Sequence, residues 1–255
     1  MKERVIWGGI AAAIFLPFLI IGSLPFQLFV GVLAMIGVSE LLKMRRLEIF
    51  SFEGVFAMLA AFVLTVPMDH YLTSLPIDAS FAGYGIIVFF LLAGTVLNSS
   101  AYSFEDATFP IAASFYVGIG FQNLVNARLS GIDKVLLALF IVWATDIGAY
   151  MIGRQFGKRK LLPRISPNKT IEGSLGGIAC AVLTSFVFML IDRSVYAPHH
   201  FFVMLLLVAL FSIFAQFGDL VESAIKRHFG VKDSGKLIPG LSLIHISEPT
   251  RPLYI

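Results

Sequence analysis

The chain has 255 residues, of which 58% are hydrophobic and only 14% charged, with a mean hydropathy of +0.87, whereas an average soluble domain is roughly 25% charged. That balance excludes a soluble globular or disordered protein and predicts an all-α, polytopic membrane helix bundle. The net charge of +3 on so little polar surface does not point to nucleic-acid binding, and the single cysteine, Cys180, excludes an internal disulfide.

Apolar runs long enough to cross a bilayer, about 17 to 20 residues, can be drawn at 5–24, 25–42, 53–69, 81–98, 108–127, 133–153, 173–192 and 200–218. The first follows Lys2 and Arg4 as a signal peptide would, but it is too long for that and further spans follow, so it is expected to remain as a helix. A soft boundary at NSSAYSFEDAT, 98–108, divides the chain into N-terminal helices, 1–100, and a region 101–240 that holds everything chemically suggestive. No connection is long enough for a separate soluble domain, and no internal repeat is evident.

With the N-terminus inside the cell, the inner segments carry Lys2 and Arg4, then Lys43, Arg45 and Arg46, then the cations of 154–169 and of 226–236, while the outer ones carry only Arg128, Lys134 and Arg193. Positive charge marks the cytoplasmic side, so both polar segments of interest are expected there.

The first of these reads WATDIGAYMIGRQFGKRKLLPRISPNKTIEGSLGG from Trp143. Asp146 sits well inside an apolar span, where an ionisable group is costly and a functional role is the default expectation; a buried structural acid is the alternative. Tyr150 and Gly153, at i+4 and i+7, share its helix face. The loop that follows holds Arg154, Lys158, Arg159, Lys160, Arg164 and Lys169, a density that topology alone can explain. Ser166, Asn168 and Thr170 beside Lys169, with Glu172 at the mouth of the next helix, also suit a phosphate cradle. The spacing is not that of a Walker-type loop.

The second segment, DLVESAIKRHFGVKDSGKLIPG from Asp219 to Gly240, continues the last apolar run. On a helix Asp219, Glu222, Ser223, Lys226 and Arg227 share one face, and Lys232 and Asp233 follow in a loop rich in glycine. Carboxylates can hold a divalent metal and Lys and Arg can hold phosphate, although an ordinary polar helix end with internal ion pairs would read the same way.

The order Ser223, Lys226-Arg227, Lys232-Asp233, Gly235, Ile238-Pro239 resembles the signature of the phosphatidate cytidylyltransferase (CDP-diacylglycerol synthase) family, and the D-x-G-A-Y, G-R-x-F-G-K and S-P-x-K-T-x-E-G series from Asp146 to Gly173 is similar to that family too. In the family the signature continues with His-Gly-Gly and Asp-Arg-x-Asp and a closing helix. Here LSLIHISEPTRPLYI, 241–255, shares none of that and reads as foreign to the fold. The resemblance implies an integral enzyme of the bacterial inner membrane, a homodimer that transfers CMP from CTP to phosphatidate with Mg²⁺ and room for a second metal ion. It assigns Asp219 as metal ligand, and catalytic or substrate roles to Asp146, Lys226, Arg227, Ser166, Asn168, Lys169, Thr170, Glu172, Ser223, Lys232 and Asp233. Without the closing aspartates, Mg²⁺ binding and turnover by the chain as written are expected to be weak. Two rivals stay open: a CTP-dependent polyprenol-type lipid kinase, which would release CDP instead of pyrophosphate, and an ion-coupled transporter with Asp146 as its coupling site.

Overall fold

The computed structural model describes residues 2–68, 71, 78–196 and 200–231, with side chains from residue 9 onward, so Lys232, Asp233 and the 241–255 segment lie outside the described residues. The described chain forms helices α1 (Lys2–Ile21), α2 (Ser23–Met44), α3 (Phe52–Thr65), α4 (Ala79–Leu97), α5 (Phe104–Ser130), α6 (Ile132–Phe156), α7 (Ile171–Ile191) and α8 (Phe201–His228). Each answers to one apolar run, and the all-α membrane bundle stands. Five of them, α2, α4, α6, α7 and α8, are long and apolar enough to cross a membrane.

The departures from the expected spans have local causes. The third run extends to residue 69, but α3 stops at Thr65 because Pro67 forces Val66 out of helical geometry, to φ −87° and ψ 117°. Its 14 residues span only about 21 Å. The 154–172 connection, read as a loop, contains an antiparallel hairpin of β1 (Lys160–Leu162) and β2 (Ser166–Thr170). α8 runs unbroken through the apolar segment and the charged one. It ends in a Schellman turn, with Val231 N–H on Lys226 O and Gly230 N–H on Arg227 O, and Gly230 at φ +68° supplies the left-handed residue.

Contacts divide the described residues into two units, 2–130 and 131–231. The division falls later than the soft boundary at 98–108 because α5 packs on α2 and α3 and so joins the N-terminal helices.

In the N-terminal unit small residues let the helices approach closely, Gly37 against Val117 and Gly118 against Ala61 and Leu64. Arg128, in the last turn of α5, donates from Nε to Leu19 O at 2.7 Å and from Nη2 to Ile20 O at 3.1 Å, satisfying carbonyls at the end of α1 that have no helical partner. At the opposite end Ser103 and Asp106 form a reciprocal cap for α5: Ser103 N–H donates to Asp106 Oδ2 at 3.0 Å and Asp106 N–H to Ser103 Oγ at 3.3 Å. These bonds from Ser103 hold the Asp106 carboxyl below its ordinary range, with Arg45 assisting.

Beside this cap the Tyr102 hydroxyl is buried with no hydrogen-bond partner among the described residues. Burial, then the negative charges of Glu53 and Asp106, push its pKa up to about 12. A phenol raised in this way ionises more readily in the unfolded chain, so stability falls as pH rises above about 10. Tyr102→Phe removes an unsatisfied group and is expected to leave stability unchanged or raise it by up to about 1 kcal/mol near neutrality. Thermal melts in detergent from pH 7 to 11 check both points: the variant should lose less stability than the parent at the alkaline end.

In the C-terminal unit α6 and α7 run antiparallel at very close range. A Cβ built on Gly173 would lie 2.6 Å from Ala149 O, and one on Gly177 would lie 2.5 Å from Thr145 O. Leu137, Ile141, Ala181, Val195 and Val208 form a core between α6, α7 and α8, and Phe202, Leu206, Phe214 and Phe217 stay exposed on the outer side of α8, as lipid-facing residues do.

Candidate active site

The site is built on α8, whose polar residues recur at helical spacing. Ser212, Gln216 and Asp219 lie at i, i+4 and i+7, on one face. Each meets a different element of the same unit. Ser212 Oγ and Thr145 Oγ1 of α6 share a buried hydrogen bond of 2.8 Å, and Gln216 Nε2 donates to Ser174 O of α7 at 3.2 Å. Asp219 forms an ion pair with Lys169 of β2. The charge of Lys169 also acts on Asp146 of α6, which lies 73 residues before Asp219 in the chain. Both carboxylates lie deep in their helices. Asp146 is ten residues before the end of α6 and Asp219 nine before the end of α8, about 15 Å in each case.

The charged face expected beyond Asp219 divides in two. Lys226 Nζ lies 3.1 Å from Glu222 Oε1, an i,i+4 pair in which Glu222 is 1% and Lys226 8% exposed. Lys226, expected as a phosphate ligand with an internal ion pair as the alternative, is paired with Glu222. Arg227 is exposed on the neighbouring side and reaches Ile165 O in the hairpin turn at 3.5 Å, while Ser223 is half-buried.

Two other expected ligands hold the scaffold. Thr170 is buried, and its Oγ1 accepts from Gly173 N–H at 3.1 Å as the N-cap of α7. Glu172 accepts the backbone N–H of Lys158 at 3.1 Å and of Arg159 at 3.2 Å, fixing the base of the hairpin. Gly153, expected as a bare patch beside Asp146, packs on Gly173 and Thr170. Tyr150 accepts from Arg154 Nη1 at 3.1 Å. Asn168 is exposed and Ser166 half-buried on the strand that carries Lys169. Thr170→Ala should cost about 1 kcal/mol, within the usual range for a lost N-cap, and Thr170→Ser should restore it; chemical denaturation in micelles reads the difference.

Sequence reasoning missed Ser212, Gln216 and Thr145. The signal for Ser212 and Gln216 was the same i, i+4, i+7 periodicity continued backward from Asp219 into the apolar run; Thr145, on another helix, had none.

Among the described residues no group of three acids, histidines or cysteines could hold a metal ion. Mg²⁺, however, usually takes one or two carboxylates plus substrate phosphates. Asp219, paired with Lys169, and Asp146, on which the same charge acts, are carboxylates of the type such a site uses.

A polytopic helical membrane protein with carboxylates on two membrane-length helices and a basic hairpin between two helices of one unit is the class that fold and site define. Comparison with known proteins then supplies the family. The family model described as "Cytidylyltransferase family" matches residues 2–241. Phosphatidate cytidylyltransferase of Staphylococcus haemolyticus is 41% identical over 94% of this chain and 90% of its own length. The phosphatidate cytidylyltransferase of Bacillus subtilis is 36% identical over 94% of this chain and 89% of its own. The chain belongs to the cytidylyltransferase family.

Proposed function

We propose that this protein transfers CMP from CTP to phosphatidate, forming CDP-diacylglycerol and pyrophosphate, at the cytoplasmic face of the bacterial inner membrane. The observation that carries the reading is the Lys169 and Asp219 pair, with Asp146 under the influence of the same charge, in a chain matched over 94% of its length by relatives bearing that activity in their names. A phosphatidate oxygen attacks the α-phosphorus of CTP, a new P–O bond forms, and the bond to the bridging oxygen of the β-phosphate breaks as pyrophosphate leaves. Both reactants are anions, so the protein's task is to neutralise charge and align them; a phosphate dianion needs no strong base.

In this reading Lys169 exchanges Asp219 for a substrate phosphate, and the carboxylates of Asp219 and Asp146 become available to Mg²⁺. Bound Mg²⁺ supplies charge neutralisation on the phosphates. Arg227, exposed at the end of α8, takes a phosphate in this reading, and Lys226 adds positive potential from its pair with Glu222. The positive charges at 43–46, 154–169 and 226–227 support the cytoplasmic orientation. A second copy of the chain in the membrane completes the reading of its partners.

The test is pyrophosphate release in detergent micelles, with this chain and with one whose residues from 241 onward are replaced by the family's His-Gly-Gly to Asp-Arg-x-Asp continuation and closing helix. Release should require CTP, phosphatidate and Mg²⁺ together, stop on chelation, and be much faster in the extended chain. CDP as the product would establish the lipid kinase instead, and no nucleotide consumption by either folded protein would refute an enzyme of this kind.

A further inference from the structure

The hairpin carries cations for which the site has no use. Lys158, Lys160 and Arg164 are exposed, and among the described residues no carboxylate forms an ion pair with them; Arg159 is partly offset by Glu172. Apolar side chains stand exposed among them: Leu162 at 40%, two residues after the exposed Lys160, and Phe156 at 64% at the end of α6. A loop lying free in the cytosol would have no reason to interleave the two.

The hairpin does not project away from the helices. Thr170 packs on Gly153 in the last turns of α6, Ile171 N–H donates to Arg159 O at 2.9 Å, and Arg227 in the last turn of α8 reaches Ile165 O. The hairpin therefore lies at the level where the two helices leave the apolar layer, which is the depth of lipid headgroups. Cations with apolar neighbours at that depth are what an anionic bilayer surface attracts.

We propose that the outer face of the hairpin is a binding surface for anionic phospholipid headgroups, with Lys158, Lys160 and Arg164 holding the phosphates and Phe156 and Leu162 seated among the upper acyl carbons. The ligand is defined by charge and by membership of a bilayer, so the surface takes acidic phospholipids in general and does not depend on the CTP reaction. Its place in the fold gives it a consequence, because the strand that closes this surface also carries Lys169. Acidic lipid is gathered one strand away from the carboxylate pair.

The experiment is local lipid quenching without nucleotide. The folded protein, as Cys180→Ser with a bimane on Pro163→Cys, is reconstituted in phosphatidylcholine bilayers holding graded fractions of brominated phosphatidylglycerol or brominated phosphatidylcholine. Half-quenching should need a roughly fivefold lower fraction of the anionic lipid, and the preference should shrink in high salt. Lys158→Gln/Lys160→Gln/Arg164→Gln should bring the ratio close to one, while Lys158→Arg/Lys160→Arg/Arg164→Lys should keep it. All these side chains are exposed, and unchanged helical circular dichroism verifies the fold. An undiminished preference in the Gln variant would overturn the proposal. So would displacement of the lipid by inorganic phosphate at constant ionic strength, which would assign the cations to a soluble phosphate.

Discussion

Asp219→Asn is expected to reduce CTP-dependent pyrophosphate release in the extended chain by on the order of a hundredfold or more, the scale seen when one preorganised electrostatic group is removed from a reacting site. Asparagine keeps the shape and removes the charge. Lys169, 32% exposed at its side chain, would keep its ammonium and lose the Asp219 charge, and the carboxylate proposed to meet Mg²⁺ would be gone. The variant should still fold, because the pair is not sealed from solvent and its loss costs less than the ~3–5 kcal/mol of breaking a fully buried pair. A double-mutant cycle with Lys169→Met separates the two roles of Asp219. Removing both charges should recover part of the lost stability and none of the turnover. If the double variant turns over as the parent does, the pair is a structural clasp and the catalytic assignment of both residues fails. The Mg²⁺ dependence adds a second readout: a metal ligand raises the Mg²⁺ concentration needed for half-maximal rate when it is lost, and a clasp does not.

The eight helices were legible because each is a continuous apolar run, and length and composition alone report that, although only five are long and apolar enough to cross a membrane. The charged face of α8 was legible as a periodicity, and Glu222 with Lys226 follows the i,i+4 rule. What periodicity cannot show is which charges turn inward, so the burial of that pair went unforeseen. The pairing of Lys169 with Asp219 joins residues 50 apart through the packing of a strand on a helix, and nothing local announces it. The hairpin escaped because its strands are too short for an alternation to register, three and five residues, and prolines interrupt both the turn and β2. Thr170 and Glu172 show a different ambiguity. A hydroxyl and an acid at a helix start serve equally as an N-cap with a loop tether or as part of a phosphate site, and only the positions of Gly173, Lys158 and Arg159 reveal the cap and the tether.

Gly177→Leu should be the most damaging substitution outside the charged site. Even the first atom of a new side chain meets backbone, since a Cβ at 177 lies 2.5 Å from Thr145 O and 3.2 Å from Ala149 Cβ. Neither can rotate aside, so α6 and α7 must separate. Overpacking of this kind costs typically 1–3 kcal/mol, with leucine at the upper end, and the detergent melting temperature should fall accordingly. Gly85→Ala is the control: a Cβ there meets nothing within 4 Å, so the change should be neutral or slightly stabilising in its helix. The separation also reaches the chemistry. α6 carries Asp146, the hairpin hangs between the end of α6 and the start of α7, and Lys169 is its penultimate residue. Spreading the two helices shifts the ammonium relative to both carboxylates, and a displacement of about 1 Å at a reacting site can cost a hundredfold in rate. Gly177→Ala, with the smaller wedge, should therefore lose turnover at temperatures where it is still folded. Turnover that persists undiminished up to the melting point would show that the α6 and α7 contact supports the fold alone and does not set the geometry around Lys169.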